Sequence, residues 1–434
     1  MTRGARALAV ALVATGTVHA GIAQAAAPRA AYGVQGVETF AGAPAAGVTR
    51  SIAAARRSGA KLVRLEGFWA QLQPAGPAAA YDPDALAALD RAVAQAKVAG
   101  MRTVLTVDRT PCWASSAPAE VRGDCSGPDA NRPDVYRYPP ADPRSFIPVS
   151  TFLAKRYGSA LAAFELWNEP DQRNENYWAG PDKVKRYVAL AKATYRPLKQ
   201  ANPKMQVLAG SFVGGNGAWL KALYKAGMKG FYDGLAVHFY SVPLAALKTT
   251  RETQLAAGDR KPLWLTEFGW TSCYRRGGPP VEFDQRCVSR SAQTGNVRDL
   301  LASLRRMPWV RAAIQYELFD HRGGYHFGLF DEAQKSKPAL AVVSRYARGA
   351  TLKAGRPTVA VARRGGRLVL GGHASGADFF TVRVRQGSRL LFRATLVSDP
   401  TNRWSVRLPA ALRTVRGLRV SITGLRTGTA TART

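Results

Sequence analysis

Short apolar runs alternate with longer amphipathic stretches from about Tyr32 to Ala347, and the two periodicities separate cleanly. The runs at 32–36, 61–66, 101–107, 162–167, 205–209, 234–239, 262–267 and 312–319 are rich in Val, Leu, Ala and Phe. They lack strict alternation, the pattern of strands covered on both faces. Helical spacing of apolar positions occupies 48–58, 84–99, 149–157, 184–201, 218–226 and 295–306, and Gly100 supplies a stop for the second of these. Strands separated by helices predict an α/β fold, here an eightfold (β/α) TIM barrel.

The pattern changes after about Gly349. Runs at 367–370, 380–384, 390–394, 404–408 and 418–422 are short and alternating, punctuated by Gly, Ser, Asp and Pro. They predict a small C-terminal all-β sandwich. The chain therefore divides into a leader (1–25), a barrel (30–348) and a basic β-sandwich (353–434). At 434 residues it is long enough for one large and one small core, and 46% hydrophobic with 21% charged residues excludes general disorder.

The leader has Arg3 and Arg6, then an Ala/Val/Leu-rich run at 7–18, then Ala23-Gln24-Ala25. That order reads as a signal peptide with its cleavage site; an uncleaved anchor is the alternative. No other window approaches the roughly 18–20 apolar residues of a membrane span. The expectation is a secreted or cell-surface protein with no membrane span once the signal is removed. The four cysteines form two local pairs, Cys112 with Cys125 and Cys273 with Cys287, each closing a loop after a predicted strand. Three pairings are open, and free thiols are the alternative to disulfides. There is no CxxC and no nearby His pair, so a zinc site is not indicated.

The formal net charge is +33. Residues 351–434 alone hold sixteen Lys and Arg against two Asp. Such an excess attracts polyanions, an anionic cell-wall polymer among them, or is an arginine-rich solvated surface. Without basic residues interleaved with aromatics, no specific nucleic acid is expected.

Two strings carry the chemistry: Glu165-Leu-Trp-Asn-Glu169-Pro170 and Leu263-Trp-Leu-Thr-Glu267-Phe-Gly-Trp270. Each places a glutamate at the C-terminal end of a predicted strand, where barrel enzymes keep their reactive groups. Glu169 and Glu267 are 98 positions apart, close to three repeats of about 30 residues each, which puts them on strands four and seven. Two facing carboxylates are what glycosidic-bond hydrolysis requires; structural ion pairs are the plainer reading. The segment 110–148 is longer than an ordinary connection and is read as a loop over the site.

Asn168-Glu169-Pro170 after a tryptophan-bearing strand, with Thr266-Glu267-Phe-Gly later, resembles clan A of the glycoside hydrolases over about residues 32–347. Within the clan, Trp167 to Asp171 and Thr110-Pro-Cys-Trp113 look most like family 39 and relatives such as family 5. The resemblance implies a retaining hydrolase with Glu169 as general acid/base and Glu267 as nucleophile. It also implies that Arg64 holds the nucleophile ionised. A non-catalytic carbohydrate-binding protein on the same fold is the alternative. Asn168 suits a sugar 2-hydroxyl, and His238 or Tyr240 could orient Glu267, although a lone strand histidine is also an ordinary core residue. Trp69, Trp113, Trp270 and Tyr316 are either stacking platforms for sugar rings or packing. The clan often has a tryptophan at the end of strand eight, and Gln315-Tyr-Glu-Leu-Phe-Asp320 has none; Glu317 and Asp320 there are candidate polar contacts. Phosphate loops, HExxH and nucleophile elbows are absent, so neither metal nor organic cofactor is expected and the partner is a carbohydrate.

Overall fold

The computed structural model describes residues 29–434 apart from 128–129, 216, 241–243, 274–286, 323, 356, 374–379, 397–398, 400, 425–427 and 434. The expected signal segment, 1–25, lies outside the described residues. Among the described residues no helix is long and apolar enough to cross a membrane.

Eight parallel strands close into a barrel: β1 Ala31–Val34, β2 Leu62–Phe68, β3 Arg102–Asp108, β4 Leu161–Leu166, β5 Gln206–Val213, β6 Gly234–Tyr240, β7 Leu263–Gly269 and β8 Val310–Gln315. Each neighbour pairs in sequence order, and β1 closes on β8 with Ala31 opposite Ala312. A helix follows every strand: α1 Ala45–Ser58, α2 Pro83–Val98, α3 Ile147–Tyr157, α4 Lys183–Ala201, α5 Gly217–Lys225, α6 Leu244–Ala256, α7 Arg290–Leu304 and α8 Pro338–Ala347. Local signals set their ends. Asp82 accepts from the Ala85 amide at 2.8 Å and Pro83 opens α2, while Gly59, at φ 83°, ends α1 in the left-handed region.

The helix α6 is absent from the sequence reading, because its Lys-Thr-Thr-Arg-Glu-Thr centre carries only a weak apolar stripe. Strand β8 also stops at Gln315, four residues short of the run read to 319.

Period-two alternation divides every barrel strand between two cores. Val63, Leu65, Leu105, Val107, Phe164, Leu166, Val237 and Phe239 face the helices. Leu62, Val104, Ala163, Leu208, Ala236, Ala312 and Ile314 fill the floor of the barrel around Trp264. Small residues on three strands leave room for that one indole. Gly33 sits where a Cβ would lie 2.8 Å from the Leu62 Cβ, so β1 and β2 approach this closely only with glycine there. Further along the same interior parity, towards the C-terminal ends, the side chains turn polar: Arg64 and Glu66 on β2, Thr106 and Asp108 on β3, Glu165 on β4, His238 and Tyr240 on β6.

After α8 come seven antiparallel strands: β9 Ala360–Arg364, β10 Arg367–His373, β11 Phe380–Gln386, β12 Arg389–Leu396, β13 Arg403–Arg407, β14 Leu418–Gly424 and β15 Gly428–Arg433. They make a three-stranded sheet, β13-β10-β9, and a four-stranded one, β12-β11-β14-β15. Leu368, Leu370 and Trp404 from the first share one core with Phe380, Val382, Val384, Leu418, Val420 and Ile422 from the second. The sheets pack face to face as a sandwich. Its seven strands exceed the five alternating runs by β9 and β15.

Candidate active site

A cleft of about 620 Å³ opens at the C-terminal ends of the barrel strands. The segments after β1, β4 and β8 supply most of its wall. The segment 110–148, expected over the site, contributes none of the described lining residues; Arg109, just before it, does line the cleft. Cys112 and Cys125, bridged at an S–S distance of 2.06 Å, fold that segment onto a small core of its own with Ala117, Ala130 and Val135. The other local pair, Cys273 with Cys287, is also bridged.

Arg64 lines the floor of the cleft and has no exposure to solvent. Its Nε donates to Glu165 Oε2 at 2.6 Å. Its Nη1 donates to Glu267 Oε1 at 2.6 Å and Gln35 Oε1 at 2.7 Å, and its Nη2 donates to Asn168 Oδ1 at 2.9 Å. Burial opposes the charge, but the negative charges of Glu165, Glu267 and Glu66 outweigh it and hold the guanidinium even more firmly protonated than usual. Glu165 is equally buried and also accepts from Thr106 at 2.5 Å and Ser211 at 2.6 Å. Burial would raise its carboxyl; Arg64, then His238 and Ser211, reverse this and hold it far below the usual carboxylate range.

Glu169 follows β4 by three residues, and the chain reaches it through left-handed backbone at Trp167 (φ 69°) and Glu169 (φ 40°). Strained backbone of this kind persists where the surroundings hold it, here with Trp167 buried among Phe146 and Trp178. Glu169 and Glu267 both line the cleft, and one donor atom from each of Glu169, His238 and Glu267 lies within 4.8 Å of the others. His238 Nδ1 is 2.7 Å from Glu169 Oε1 and 3.3 Å from Glu267 Oε2. Tyr240 donates its hydroxyl to Glu267.

Burial alone would lower the His238 pKa. The charge of Glu267, with the carboxylates of Glu165 and Glu169, overrides burial and pushes it up to about 10. Burial pushes the Glu267 carboxyl up, and Glu169 adds to this, while His238, Arg64 and Tyr240 pull the other way. Arg64 thus acts on Glu267 in the direction expected of it, against a desolvation that the sequence does not show. By donor type the Glu169–His238–Glu267 trio could hold a divalent cation, although Arg64 already brings positive charge to Glu267. On the same interior parity Asp108 is pushed up to about 7, chiefly by burial.

The other candidates divide. Asn168, Tyr240 and Tyr316 line the cleft, and so do Glu317 and Asp320. Because arginine only donates, the Asn168 atom facing Arg64 must be oxygen, so its Nδ2 is the side chain's donor. Tyr316, Tyr240 and Phe327 meet edge to face with centroids 5.4–5.8 Å apart. Glu317 accepts from or bonds to His321 at 2.7 Å, and Asp320 pairs with the buried Lys337 at 2.8 Å. His238 touches both carboxylates from below.

The tryptophans are corrected. Trp270 is fully buried and does not line the cleft, so it offers no face to a sugar. Trp113 is half-buried outside the cleft, packed on Trp69, with its Nε1 donating to the Gln73 carbonyl at 2.9 Å. Trp69 is likewise buried. Sequence reasoning missed Glu165, Glu66 and Gln35 as members of this network. For the two glutamates the available signal was a charged residue inside an apolar strand, as at Arg64.

The family model described as cellulase (glycosyl hydrolase family 5) matches residues 25–300. Comparison with curated proteins gives no match. Among solved structures, the GH39 enzyme from Xanthomonas axonopodis pv. citri is similar with a TM-score of 0.55 and 15% identity, over 89% of this chain and 93% of that one. A family 39 glycoside hydrolase from the gut symbiont Bacteroides cellulosilyticus WH2 gives 0.53 and 17%, over 87% and 80%. A monomeric beta-xylosidase from Caulobacter crescentus CB15 gives 0.51 and 15%, over 88% and 94%. At these identities the likeness is one of fold.

Proposed function

Since this chain belongs to glycosyl hydrolase family 5, the cellulase family, and is a glycoside hydrolase, we propose that it cleaves O-glycosidic bonds of a poly- or oligosaccharide with retention, by two-glutamate double displacement. The observation that carries the reading is the approach of Glu169 and Glu267 oxygens to within 4.8 Å at the cleft floor. Retaining enzymes hold their carboxyl groups about 5–5.5 Å apart, whereas inverting ones need about 6.5–9.5 Å to admit a water.

Glu267 is the nucleophile in this scheme. Arg64 and Tyr240 both donate to it, so its charge and direction are set before substrate arrives. Its carboxylate oxygen bonds to the anomeric carbon as the glycosidic C–O bond breaks, and Glu169 gives its proton to the departing oxygen. In the second half Glu169 takes a proton from water, whose oxygen bonds to the anomeric carbon and releases Glu267. In this reading Asn168 Nδ2 donates to the sugar 2-hydroxyl, and Tyr316, backed by the buried Phe327, offers its ring to the sugar.

Export is supported by the two disulfides, which form in oxidising compartments. The basic C-terminal sandwich is proposed to hold the enzyme on an anionic cell-wall polymer.

The catalytic reading is tested with Glu169→Gln and Glu267→Gln on a panel of nitrophenyl glycosides and polysaccharides. Each is expected to lose about 10²–10⁴-fold in turnover. Azide should rescue Glu267→Gly as a glycosyl azide of inverted configuration. Undiminished turnover in both Gln variants would refute the assignment.

A further inference from the structure

We infer that Arg109 holds the 3- and 4-oxygens of the sugar whose anomeric carbon lies over Glu267, and so selects glycones that carry both. The inference rests on the proposed roles of Glu169 and Glu267 and adds a specificity-setting contact to them.

Arg109 directly follows β3 and lines the cleft. Its backbone is left-handed at φ 64°, a strained conformation for a residue with a Cβ, and its neighbours hold it there. Its carbonyl accepts from the Ala70 amide at 2.8 Å, and the Thr110 amide donates to the Tyr136 carbonyl at 3.1 Å. The guanidinium carbon lies 3.9 Å from the centre of the Phe68 ring and 5.2 Å from that of Tyr136. These two rings hold the guanidinium in place. The 110–148 segment therefore acts on the cleft indirectly, through Tyr136 against Arg109.

A guanidinium carries five N–H donors. Among the described residues those of Arg109 make no hydrogen bond: Nε is buried without a partner, and Asp108 Oδ1, at 3.8 Å, is beyond bonding distance. A polar group so placed in a cleft calls for an acceptor from outside the chain. The other two arginines of the cleft differ. Arg64 gives its donors to Glu165, Glu267, Gln35 and Asn168, and Arg50 is exposed on α1.

Barrel order identifies the acceptor. In the closed ring of eight strands β3 lies four places from β7, so Arg109 stands across the mouth from Glu267. In a pyranose, C4 lies across the ring from C1. A sugar with C1 over Glu267 and its 2-hydroxyl at Asn168, after β4, turns O3 and O4 toward β3. Two neighbouring oxygens suit the paired N–H groups of one guanidinium. A carboxylate would suit that fork too, but the charges of Asp108 and Glu66 already act on Arg109, which favours uncharged hydroxyls.

The test uses the full-length protein with nitrophenyl β-glucoside, its 3-deoxy and 4-deoxy forms, and nitrophenyl β-glucuronide. Isofagomine is added as a ligand that needs no turnover. This iminosugar has nitrogen in place of the anomeric carbon and keeps hydroxyls equivalent to O3 and O4, in the arrangement that glucose, mannose and xylose share. Arg109→Met should lower kcat/KM on the parent glucoside by about 10–100-fold, and at least about threefold less on each deoxy form. Calorimetry should show isofagomine binding weakened at least about tenfold. Arg109→Lys keeps the charge and the stem over Phe68 but not the fork, and should fall between; it also covers any loss of folding, which thermal unfolding checks. Equal losses on parent and deoxy forms would make Arg109 a packing residue and overturn the inference. So would isofagomine binding that is absent in wild type or unchanged in Arg109→Met. A wild-type preference for the glucuronide that Arg109→Met abolishes would overturn the choice of hydroxyls. Isofagomine held through Arg109, with no glycoside hydrolysed, would refute the catalytic reading and leave this contact standing.

Discussion

Removing the positive charge of Arg64 should reverse the sign of the barrel's pH dependence. In the native protein Arg64 donates to Glu165 and Glu267 at 2.6 Å each, and neither Arg64 nor Glu165 is exposed. Arg64→Met leaves both carboxylates desolvated with His238 as their remaining cationic neighbour. Breaking a buried ion pair from one side costs about 3–5 kcal/mol, which for a domain of this size lowers Tm by roughly 6–15 °C. The direction with pH follows from Glu165. With Arg64 present its folded pKa lies below the unfolded value, so its contribution is present above about pH 4.3 and fades only in strong acid. Without Arg64, the largest of the groups that lower it, burial outweighs His238 and Ser211 and the folded pKa rises above the unfolded one. The deficit of the variant is then small near pH 4.5 and grows as pH rises. Differential scanning calorimetry of wild type, Arg64→Met and Arg64→Lys at pH 4.5 and pH 8 measures this. Arg64→Lys keeps the charge but has three donors for five acceptors, so it should lose less and show little added pH dependence. An equal Tm loss for Arg64→Met at both pH values, or a loss below about 2 °C at pH 8, would refute the charge-compensation argument.

His238, raised to about 10 in the folded protein, contributes stability that is complete below about pH 6.5 and disappears as pH climbs through 10. Denaturant titrations at pH 7, 8.5 and 10 should show that decline in wild type and a flatter profile in His238→Gln. Tyr240→Phe removes a donor that lowers the Glu267 pKa, so the acid limb of kcat/KM should move to higher pH, with a turnover loss of about 10–100-fold; an unmoved limb counts against the contact. Asn168→Ala should cost about tenfold or more on a glycoside and nearly nothing further on its 2-deoxy analogue, and equal losses would remove the proposed 2-hydroxyl contact. Gly33→Ala forces a Cβ to 2.8 Å from Leu62, and thermal unfolding should show a loss of about 1–3 kcal/mol or more.

The chain by itself determined the architecture, because the evidence for it is local. A run such as 101–107 shows its strand character, and the stripe in 84–99 its helix character, within one window each. The positions of Glu169 and Glu267 at strand ends were legible for the same reason, and their spacing placed them on β4 and β7. Elements with weak local signals escaped. The α6 helix is threonine-rich, and β15, Gly-Thr-Ala-Thr-Ala-Arg, has no strong apolar residue and becomes a strand by pairing with β14. Tertiary structure decided the site. Glu165 and Glu169 are near neighbours in one string, yet one faces the barrel interior under Arg64 and the other turns into the cleft through left-handed backbone. Trp270 and Trp113 looked like sugar platforms because a sequence does not show which way a loop turns an indole; folding directs both away from the cleft. The physical reason is barrel closure. It brings β2, β4, β6 and β7 around one axis, and only then do Arg64, Glu165, His238 and Glu267 acquire common neighbours and unequal hold on protons.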